Sequence, residues 1–189
     1  MKRLLPLVLA VCLLSLSACG KPEQETEDTA LLALAQTYQS QIDEISRGGT
    51  VGVNLTQTQL EQIVSTLADE GVTVSGVDGS TAMQNPQAVD AFFAARDADR
   101  AARLTLYEVC IDGGLICHDL AFADGETTLT LTRIVWNGTE PAVSYSKNYA
   151  VTALTCSGGA LYYAYDMPDN PPGTDHDGHI DTEDTFQIG

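Results

Sequence analysis

Apolar residues recur at helical spacing in three segments of the first half of the chain. The first segment runs from about Asp28 to Ser46 and precedes Gly48-Gly49, a pair that favours a helix end. A capping-box pattern at Thr58 and Glu61 begins the second segment, and Asn85 followed by proline is a good N-cap for the third. The pattern therefore predicts three amphipathic helices. Their inward-facing positions are Leu31, Leu34, Tyr38, Ile42, Ile45, Leu60, Ile63, Val64, Leu67, Val89, Phe92 and Phe93.

The second half of the chain changes to a strand pattern from Arg103 onward, because β-branched and aromatic residues alternate with polar ones. Threonines at alternate positions from 128 to 132 indicate a sheet with one solvated and one covered face. Four turn signals separate the segments and predict five antiparallel strands. These signals are Asp112-Gly113-Gly114, Asp124-Gly125, Asn137-Gly138 and Ser157-Gly158-Gly159. Two short apolar runs, Val51–Leu55 and Val72–Val77, predict further short strands.

Together these elements predict an α+β fold in which three N-terminal amphipathic helices pack on an antiparallel five-strand meander sheet. The body of the chain, residues 30–167, has a length that suits one hydrophobic core and therefore a single domain. The order of elements resembles that of NTF2-like folds. This resemblance implies a cone-shaped ligand pocket inside a curved sheet.

The first twenty residues have the pattern of an export signal. Lys2 and Arg3 precede an apolar run from Leu4 to Leu16, which is shorter than the roughly 20 residues that a membrane span needs. The following Leu16-Ser17-Ala18-Cys19 resembles the lipobox of bacterial lipoproteins. The resemblance implies that Cys19 becomes the first residue and carries acyl chains such as palmitate. The alternative is an ordinary secretory signal with an incidental cysteine.

These features predict the division of the chain and its location. We expect a signal peptide (1–18), a lipidated cysteine with a disordered acidic tether (19–29), the α+β domain (30–167) and a disordered acidic tail (168–189). The lipid would attach the protein to the extracytoplasmic face of a bacterial membrane, in the cell envelope. Several acyl chains are needed for durable attachment, since one chain binds a bilayer marginally.

Charge narrows the choice of partners. The chain carries a net charge of −17, and export would remove two of its nine basic residues, Lys2 and Arg3. Nucleic acid is excluded as a partner because binding to phosphates needs lysine and arginine. The expected partners are the bilayer, through acylated Cys19, and an unknown protein, glycan or small ligand.

Two cysteines flank the first predicted turn. If Gly113-Gly114 form a two-residue loop, Cys110 and Cys117 face each other and become a candidate disulfide, which an exported location permits. If Asp112-Gly113 form the loop, the register slips and this pairing is lost. A bridge that involves Cys156, or buried free thiols, are the alternatives.

The C-terminal tail contains the segment with the strongest suggestion of metal binding. Residues 175–184 resemble the second half of a calcium loop, with Gly178 at the turn. The carboxylate ligands would then be Asp175, Asp177, Asp181 and Asp184. The segment lacks the first ligand and the final glutamate of such a loop. A solvated acidic tail is therefore the first interpretation, and a transition-metal site with His176 and His179 is a further alternative. No other cofactor is expected.

Tyrosines are concentrated in the last two predicted strands. Tyr145 and Tyr149 share one face of their strand, and Tyr163 and Tyr165 share one face of theirs. Aligned faces would pack these rings together. An exposed aromatic surface would instead offer a binding site for a sugar, a peptide or another ligand.

The sequence between Lys21 and Gly189 contains no strong catalytic motif. We therefore predict a membrane-anchored surface lipoprotein that acts as a non-enzymatic binding or structural module. The alternative is an extracytoplasmic hydrolase or isomerase whose site is scattered over the sheet. Its candidate residues are Glu108, His118, Asp119 and Arg133.

Overall fold

The computed structural model describes residues 21–46, 54–157, 160–165 and 183–187. The helices in these ranges are α1 (Lys21–Gln36), α2 (Gln39–Ser46), α3 (Gln57–Asp69) and α4 (Gln87–Asp97), together with a short 3₁₀ helix (Val77–Gly79). The strands are β1 (Val74–Gly76), β2 (Ala102–Val109), β3 (Leu115–Ala123), β4 (Glu126–Asn137), β5 (Glu140–Ser157), β6 (Ala160–Tyr165) and β7 (Glu183–Gln187). Among the described helices, none combines the length and the apolar character that crossing a bilayer requires.

The strands form one mixed, curled sheet in which spatial order follows chain order from β1 to β7. β1 is parallel to β2, and every later neighbouring pair is antiparallel. The prediction of three helices on a five-strand antiparallel meander is therefore wrong. The described chain has four α-helices, a parallel strand at one edge of the sheet and a seventh strand at the other. A parallel pair needs a long crossover, which the segment containing α4 provides between β1 and β2.

The single helix predicted over residues 28–46 is divided in two. A turn at Thr37 and Tyr38 separates α1 from α2, and the Thr37 hydroxyl donates to the carbonyl of Leu34 at 2.8 Å. The apolar spacing continues through Tyr38 to Ile42, so periodicity did not reveal the break. α1 begins at Lys21, and residues 21–29, predicted to belong to the tether, lie in this helix.

The second predicted helix is present, but its N-cap lies two residues before the expected one. Thr56 is the N-cap of α3: its hydroxyl accepts from the Gln59 amide at 3.3 Å, and the Gln59 side chain accepts from the Thr56 amide at 2.9 Å. The sequence contains two overlapping capping-box patterns, and the one at Thr58 and Glu61 is not used. The predicted apolar stripe of this helix is buried.

Asn85 has a different role from the predicted N-cap. The cap of α4 is Pro86, while Asn85 has a positive φ of 55° and its side-chain amide donates to the carbonyls of Ala68 and Val72, both at 2.9 Å. Asn85 thereby ties the end of α3 to the residues before β1. The strand predicted over Val72–Val77 is present as the shorter β1.

The strand predicted over Val51–Leu55 falls partly outside the described residues, and Gly48-Gly49 lies wholly outside them. Leu55 lies in an irregular segment, and its amide donates to the carbonyl of Ile111 at 2.7 Å.

The sheet has a buried cluster on each face. On one face, α1, α2 and α3 pack against residues that include Val109, Leu115 and Ile134. On the other face, α4 packs against the alternate residues of the same strands. This second cluster consists of Met83, Val89, Phe92, Leu104, Leu106, Leu120, Phe122, Leu129, Leu131, Leu161, Tyr163 and Tyr165. Because adjacent strand residues point to opposite faces, each strand supplies both clusters.

A backbone carbonyl of the β2–β3 turn binds side chains that precede α2 and end β4. Gly113 has a φ of 79°, a left-handed conformation that glycine adopts without strain. Its carbonyl accepts hydrogen bonds from the Tyr38 hydroxyl at 3.2 Å and from the Trp136 indole at 2.8 Å. The two rings also meet edge to face, with their centroids 5.5 Å apart. One carbonyl therefore joins the start of α2, the turn and the end of β4.

Gly113→Ala tests this junction. An added Cβ would lie 2.7 Å from Cδ1 of the buried Ile42, so this side chain would have to shift within the core at a cost of up to about 1–3 kcal/mol. The left-handed conformation costs alanine about 1–2 kcal/mol more. Gly125→Ala is the matched control, since Gly125 has a φ of 81° and no atom within 4 Å of an added Cβ. Urea unfolding should show the larger loss of stability for Gly113→Ala. Equal losses would contradict tight packing of α2 on the turn.

Candidate functional site

The candidate disulfide partners are not opposed in the structure. Cys117 lies opposite Tyr107, while the Cys110 amide donates to the carbonyl of Gly114 at 2.8 Å. The loop has three residues, Ile111 to Gly113, so neither predicted two-residue loop applies and the strands meet in a different register. Among the described residues, Cys110, Cys117 and Cys156 take part in no disulfide bond.

The four candidate tyrosines lie on the face of the curled sheet that packs against α4, which we call the inner face. Tyr163 and Tyr165 are buried, and Tyr145 and Tyr149 pack partly buried against the same cluster. The rings of Tyr149 and Tyr165 have centroids 4.8 Å apart. Their placement is that of interior aromatic packing. Tyr162, which points away, is 43% exposed.

Most of the candidate calcium ligands lie outside the described residues. Asp175, Asp177 and Asp181 belong to this group. Asp184 is in β7, where its backbone lies opposite Tyr163 of β6. Within the described ranges, no group of three or more potential metal-ligating side chains comes together.

The inner face contains a buried polar chain formed by Glu108, His118 and Tyr163. The His118 side chain is 2% exposed, its Nε2 lies 3.3 Å from the Glu108 carboxylate, and its Nδ1 hydrogen-bonds to the Tyr163 hydroxyl. Glu108 is opposite Ile116 on β3, two residues from His118, so both side chains lie on one face. Tyr163 belongs to β6 and reaches His118 because the sheet curls.

The buried polar chain of Glu108, His118 and Tyr163 contains two of the four residues that were predicted for a scattered catalytic site. Asp119 points to the opposite face of β3 from His118. Arg133 lies on the same face as Glu108, with Ile116 between them, but its guanidinium binds Asp112 at 2.7 Å. His118 and Tyr163 could exchange a proton along their hydrogen bond, while Glu108 is in ion-pair contact with the other ring nitrogen of His118 without a hydrogen bond of good geometry. Burial of His118 closes it to a substrate in this conformation.

The other face of the sheet contains a cleft of about 310 Å³ beneath α1, which we call the α1 cleft. Its helix wall contains Ala30, Leu31 and Leu34, and Val72 closes one side. The sheet wall consists of Thr105, Tyr107, Cys117, Thr130 and Thr132. The cleft therefore has an apolar helix wall and hydroxyl groups on its sheet wall.

An ion-pair bridge joins the two walls. The Arg103 guanidinium lies 2.6 Å from Asp119 on the sheet and 2.7 Å from Glu27 on α1. Asp119 also accepts a hydrogen bond from the Thr105 hydroxyl at 3.1 Å. The bonds to Asp119 and Glu27 raise the pKa of Arg103 above its ordinary value. We call the Glu27–Arg103–Asp119 bridge the clasp.

The thiol in the α1 cleft is a neutral group. Burial raises the pKa of the Cys117 thiol to about 12, and the charge of Asp119 acts in the same direction. Burial also raises the pKa of Tyr107, its partner on β2. At neutral pH both are protonated, so Cys117 is not the thiolate that nucleophilic chemistry requires.

Sequence reasoning did not identify the α1 cleft or the clasp. Arg103 and Glu27 are 76 residues apart, and only the docking of α1 on the sheet brings them together. The alternating threonines of β4 gave a partial signal, but their face was predicted to be solvated, whereas it lies beneath α1 and Thr132 is only 6% exposed. Thr130 and Thr132 of that face line the cleft.

Comparisons with known proteins give one match. The family described as a family of unknown function (DUF6070) matches residues 23–181. No curated protein and no solved structure matches the chain. The match begins within α1 and includes both faces of the sheet.

Tyr163→Phe tests the buried polar chain. The variant keeps the ring but leaves the buried His118 nitrogen without its phenol partner, so we expect a loss of about 1–3 kcal/mol in the free energy of unfolding. Tyr162→Phe, on the same strand with an exposed ring, should change stability by less than about 0.5 kcal/mol. Urea unfolding at neutral pH measures both. Equal effects would show that the hydrogen bond to His118 contributes no specific stability.

Proposed function

This chain belongs to DUF6070, a family of unknown function, and we propose that it is a lipid-anchored extracytoplasmic module that binds a small molecule in the α1 cleft. The observation that carries the proposal is the cleft itself. Its volume of about 310 Å³ lies at the lower end of the range typical of small-molecule sites. A solvent-accessible cleft that combines apolar walls with a few polar groups is the usual form of such a site.

The lining favours a small amphipathic ligand. Leu31 and Leu34 offer apolar contact from the helix. Thr105 donates its hydroxyl proton to Asp119 and Thr130 donates its own to Asn148, so both hydroxyl oxygens remain as acceptors on the sheet wall. A compact hydrocarbon group would lie against the leucines, while a polar group would lie toward the threonines. This division of the walls fixes the orientation of the ligand.

The charges around the cleft favour a cationic or neutral ligand over an anion. Three carboxylates, Glu27, Asp28 and Asp119, line the cleft with one guanidinium, that of Arg103. Arg103 is already bound by two of these carboxylates, so an anionic ligand would have to compete for it. The net charge of −17 on the chain adds to the repulsion of anions.

The proposed anchor would place this cleft near the bilayer. Lys2, Arg3, the apolar run that follows them and the lipobox-like sequence ending at Cys19 support lipid attachment. α1 begins at Lys21, two residues after Cys19. Glu27 lies about 9 Å further along this helix at about 1.5 Å per residue. A ligand near the membrane surface would therefore be within reach of the cleft.

An extracytoplasmic hydrolase or isomerase is the second candidate. The carboxylate, imidazole and phenol of Glu108, His118 and Tyr163 favour it, because such groups perform acid–base chemistry when a substrate reaches them. This function requires a conformation in which His118 is accessible. The binding function needs no such change, and we therefore prefer it.

Cys19→Ser tests the anchor. The wild-type protein should be acylated and recovered with the membranes of a bacterial host, because several acyl chains give durable attachment. Cys19→Ser should be unacylated and appear in the soluble extracytoplasmic fraction. Cys156→Ser is the control and should remain with the membranes, since Cys156 lies in β5. Intact-protein mass spectrometry and fractionation are the measurements. An unacylated wild-type protein would contradict lipid anchoring.

Three probes of matched shape test the α1 cleft: cyclohexylmethylamine, cyclohexylmethanol and cyclohexanecarboxylate. Ligand-observed NMR should show the strongest binding for the amine, weaker binding for the alcohol and none for the carboxylate. Ala30→Leu, at the cleft, should abolish amine binding because the larger side chain fills part of the space. Ala33→Leu, exposed on the same helix, should leave binding unchanged.

Two outcomes would contradict this site. Absence of binding by all three probes would remove the case for a small-molecule cleft. Equal effects of Ala30→Leu and Ala33→Leu would show that the amine binds elsewhere.

A further inference from the structure

β4 and β5 separate at one end of their hairpin. Their pairing runs from Asn137 and Glu140 at the turn to Thr128 and Ala150. β5 continues to Ser157, and in the described residues its second half pairs with β6 alone. The edge of residues 151–157 that faces away from β6 therefore has no neighbouring strand among the described residues.

A cleft of about 590 Å³ lies where the two strands separate, and we call it the β4–β5 gap. Glu126, Thr127 and Thr128 line it from β4, and residues 150–154 line it from β5. A register shift between Val151 and Ala153 accompanies the separation. The gap is thus bordered on one side by a strand edge, whose backbone alternates hydrogen-bond donors and acceptors.

Arg96 of α4 occupies part of this edge. Its Nη1 donates to the carbonyl of Leu154 at 3.2 Å, in the place where a neighbouring strand would offer an amide. The guanidinium carbon lies 4.6 Å from the centre of the Phe93 ring, which supports the side chain from one face. The Arg96 side chain is 26% exposed, and its nearest carboxylate, that of Asp97, is 3.8 Å away. Donors of this guanidinium remain for a group that enters the gap.

The residues along this edge do not block pairing. Natural edge strands are commonly protected by lysine, other charged residues or proline. Residues 151–157 read Val-Thr-Ala-Leu-Thr-Cys-Ser and contain none of these. Thr152, Ala153 and Thr155 are exposed and small, so they leave room for another backbone.

We propose that the β4–β5 gap binds an extended peptide, which pairs with the part of residues 151–157 of β5 that Arg96 leaves open and places its terminal carboxylate on Arg96. An extended backbone matches the alternating groups of a strand edge, and this mode of recognition is known as β-augmentation. The carboxylate complements the guanidinium, which is already positioned by Phe93 and Leu154. The site is separate from the α1 cleft, and this inference does not depend on the function proposed for that cleft.

Charge disfavours a second copy of the chain as the occupant. Two copies would each carry a net charge of −17 and would repel one another at low ionic strength. A short peptide carries little charge besides its terminal carboxylate. We therefore commit to a peptide with a free carboxylate end.

The probe is N-acetyl-Val-Thr-Val-Thr-Val with a free carboxylate, and its C-terminal amide is the matched control. NMR-detected amide exchange of the whole exported chain should show slower exchange within residues 151–157 when the free acid is present. The free acid should bind at least about fivefold more tightly than the amide, because a charge-assisted bond is lost with the carboxylate. Arg96→Gln should remove this difference. Arg100→Gln, at an exposed position beyond α4, should preserve it.

Three results would overturn the inference. The first is unchanged exchange of residues 151–157 at millimolar peptide. The second is equal affinity for the acid and the amide in the unmodified protein, a comparison that holds even if Arg96→Gln fails to fold. The third is concentration-dependent dimerisation in sedimentation that protects the same residues, which would identify a second copy as the occupant. Amine binding in the α1 cleft is measured separately, so either proposal can fail alone.

Discussion

The hydrogen bond between His118 and Tyr163 connects two strands that are three positions apart in the sheet. In a flat sheet, β3 and β6 would be separated by about 14 Å, at 4.7–4.9 Å per strand. The contact therefore requires the sheet to curl. The curl is stabilised in turn by the buried His118 imidazole, which has partners on β2 and β6. This curl gives the sheet an enclosed inner face, which α4 and the tyrosines fill, and an outer face on which α1 to α3 lie. The positions of both clefts follow from this arrangement.

The two faces differ in chemistry because successive residues of the same strands point in opposite directions. On β3, His118 enters the inner cluster while Cys117 and Asp119 face the α1 cleft. Polar groups are therefore enclosed on one side and accessible on the other. The inner groups contribute to the shape of the sheet, and the outer groups are placed where a small molecule can meet them. A binding function agrees with this division, since its polar groups are the accessible ones.

Turn dipeptides and helical periodicity in the sequence predicted part of this fold. Asp124-Gly125 and Asn137-Gly138 marked turns that the structure contains, and the apolar stripe of α3 was correctly placed. The fold class was wrong because the parallel pairing of β1 and the division at Tyr38 depend on distant partners. The predicted register of the β2–β3 hairpin was wrong because Gly113 adopts a left-handed conformation in a three-residue loop, whereas a two-residue loop was expected. The buried polar chain and the clasp join residues far apart in sequence, and no spacing pattern encodes such contacts.

The clasp has a consequence for how α1 responds to its surroundings. Its arginine side chain is 54% exposed, so dissolved ions reach the pairs it makes with Glu27 and Asp119. Mobile ions screen such pairs, with a Debye length of about 30 Å at 0.01 M salt and about 8 Å at 0.15 M. At the proposed extracytoplasmic location, ionic strength follows the surrounding medium. The contribution of the clasp to the contact between this helix and the sheet would then be smaller in brine than in fresh water, while the buried Leu31 and Ala35 continue to hold the helix.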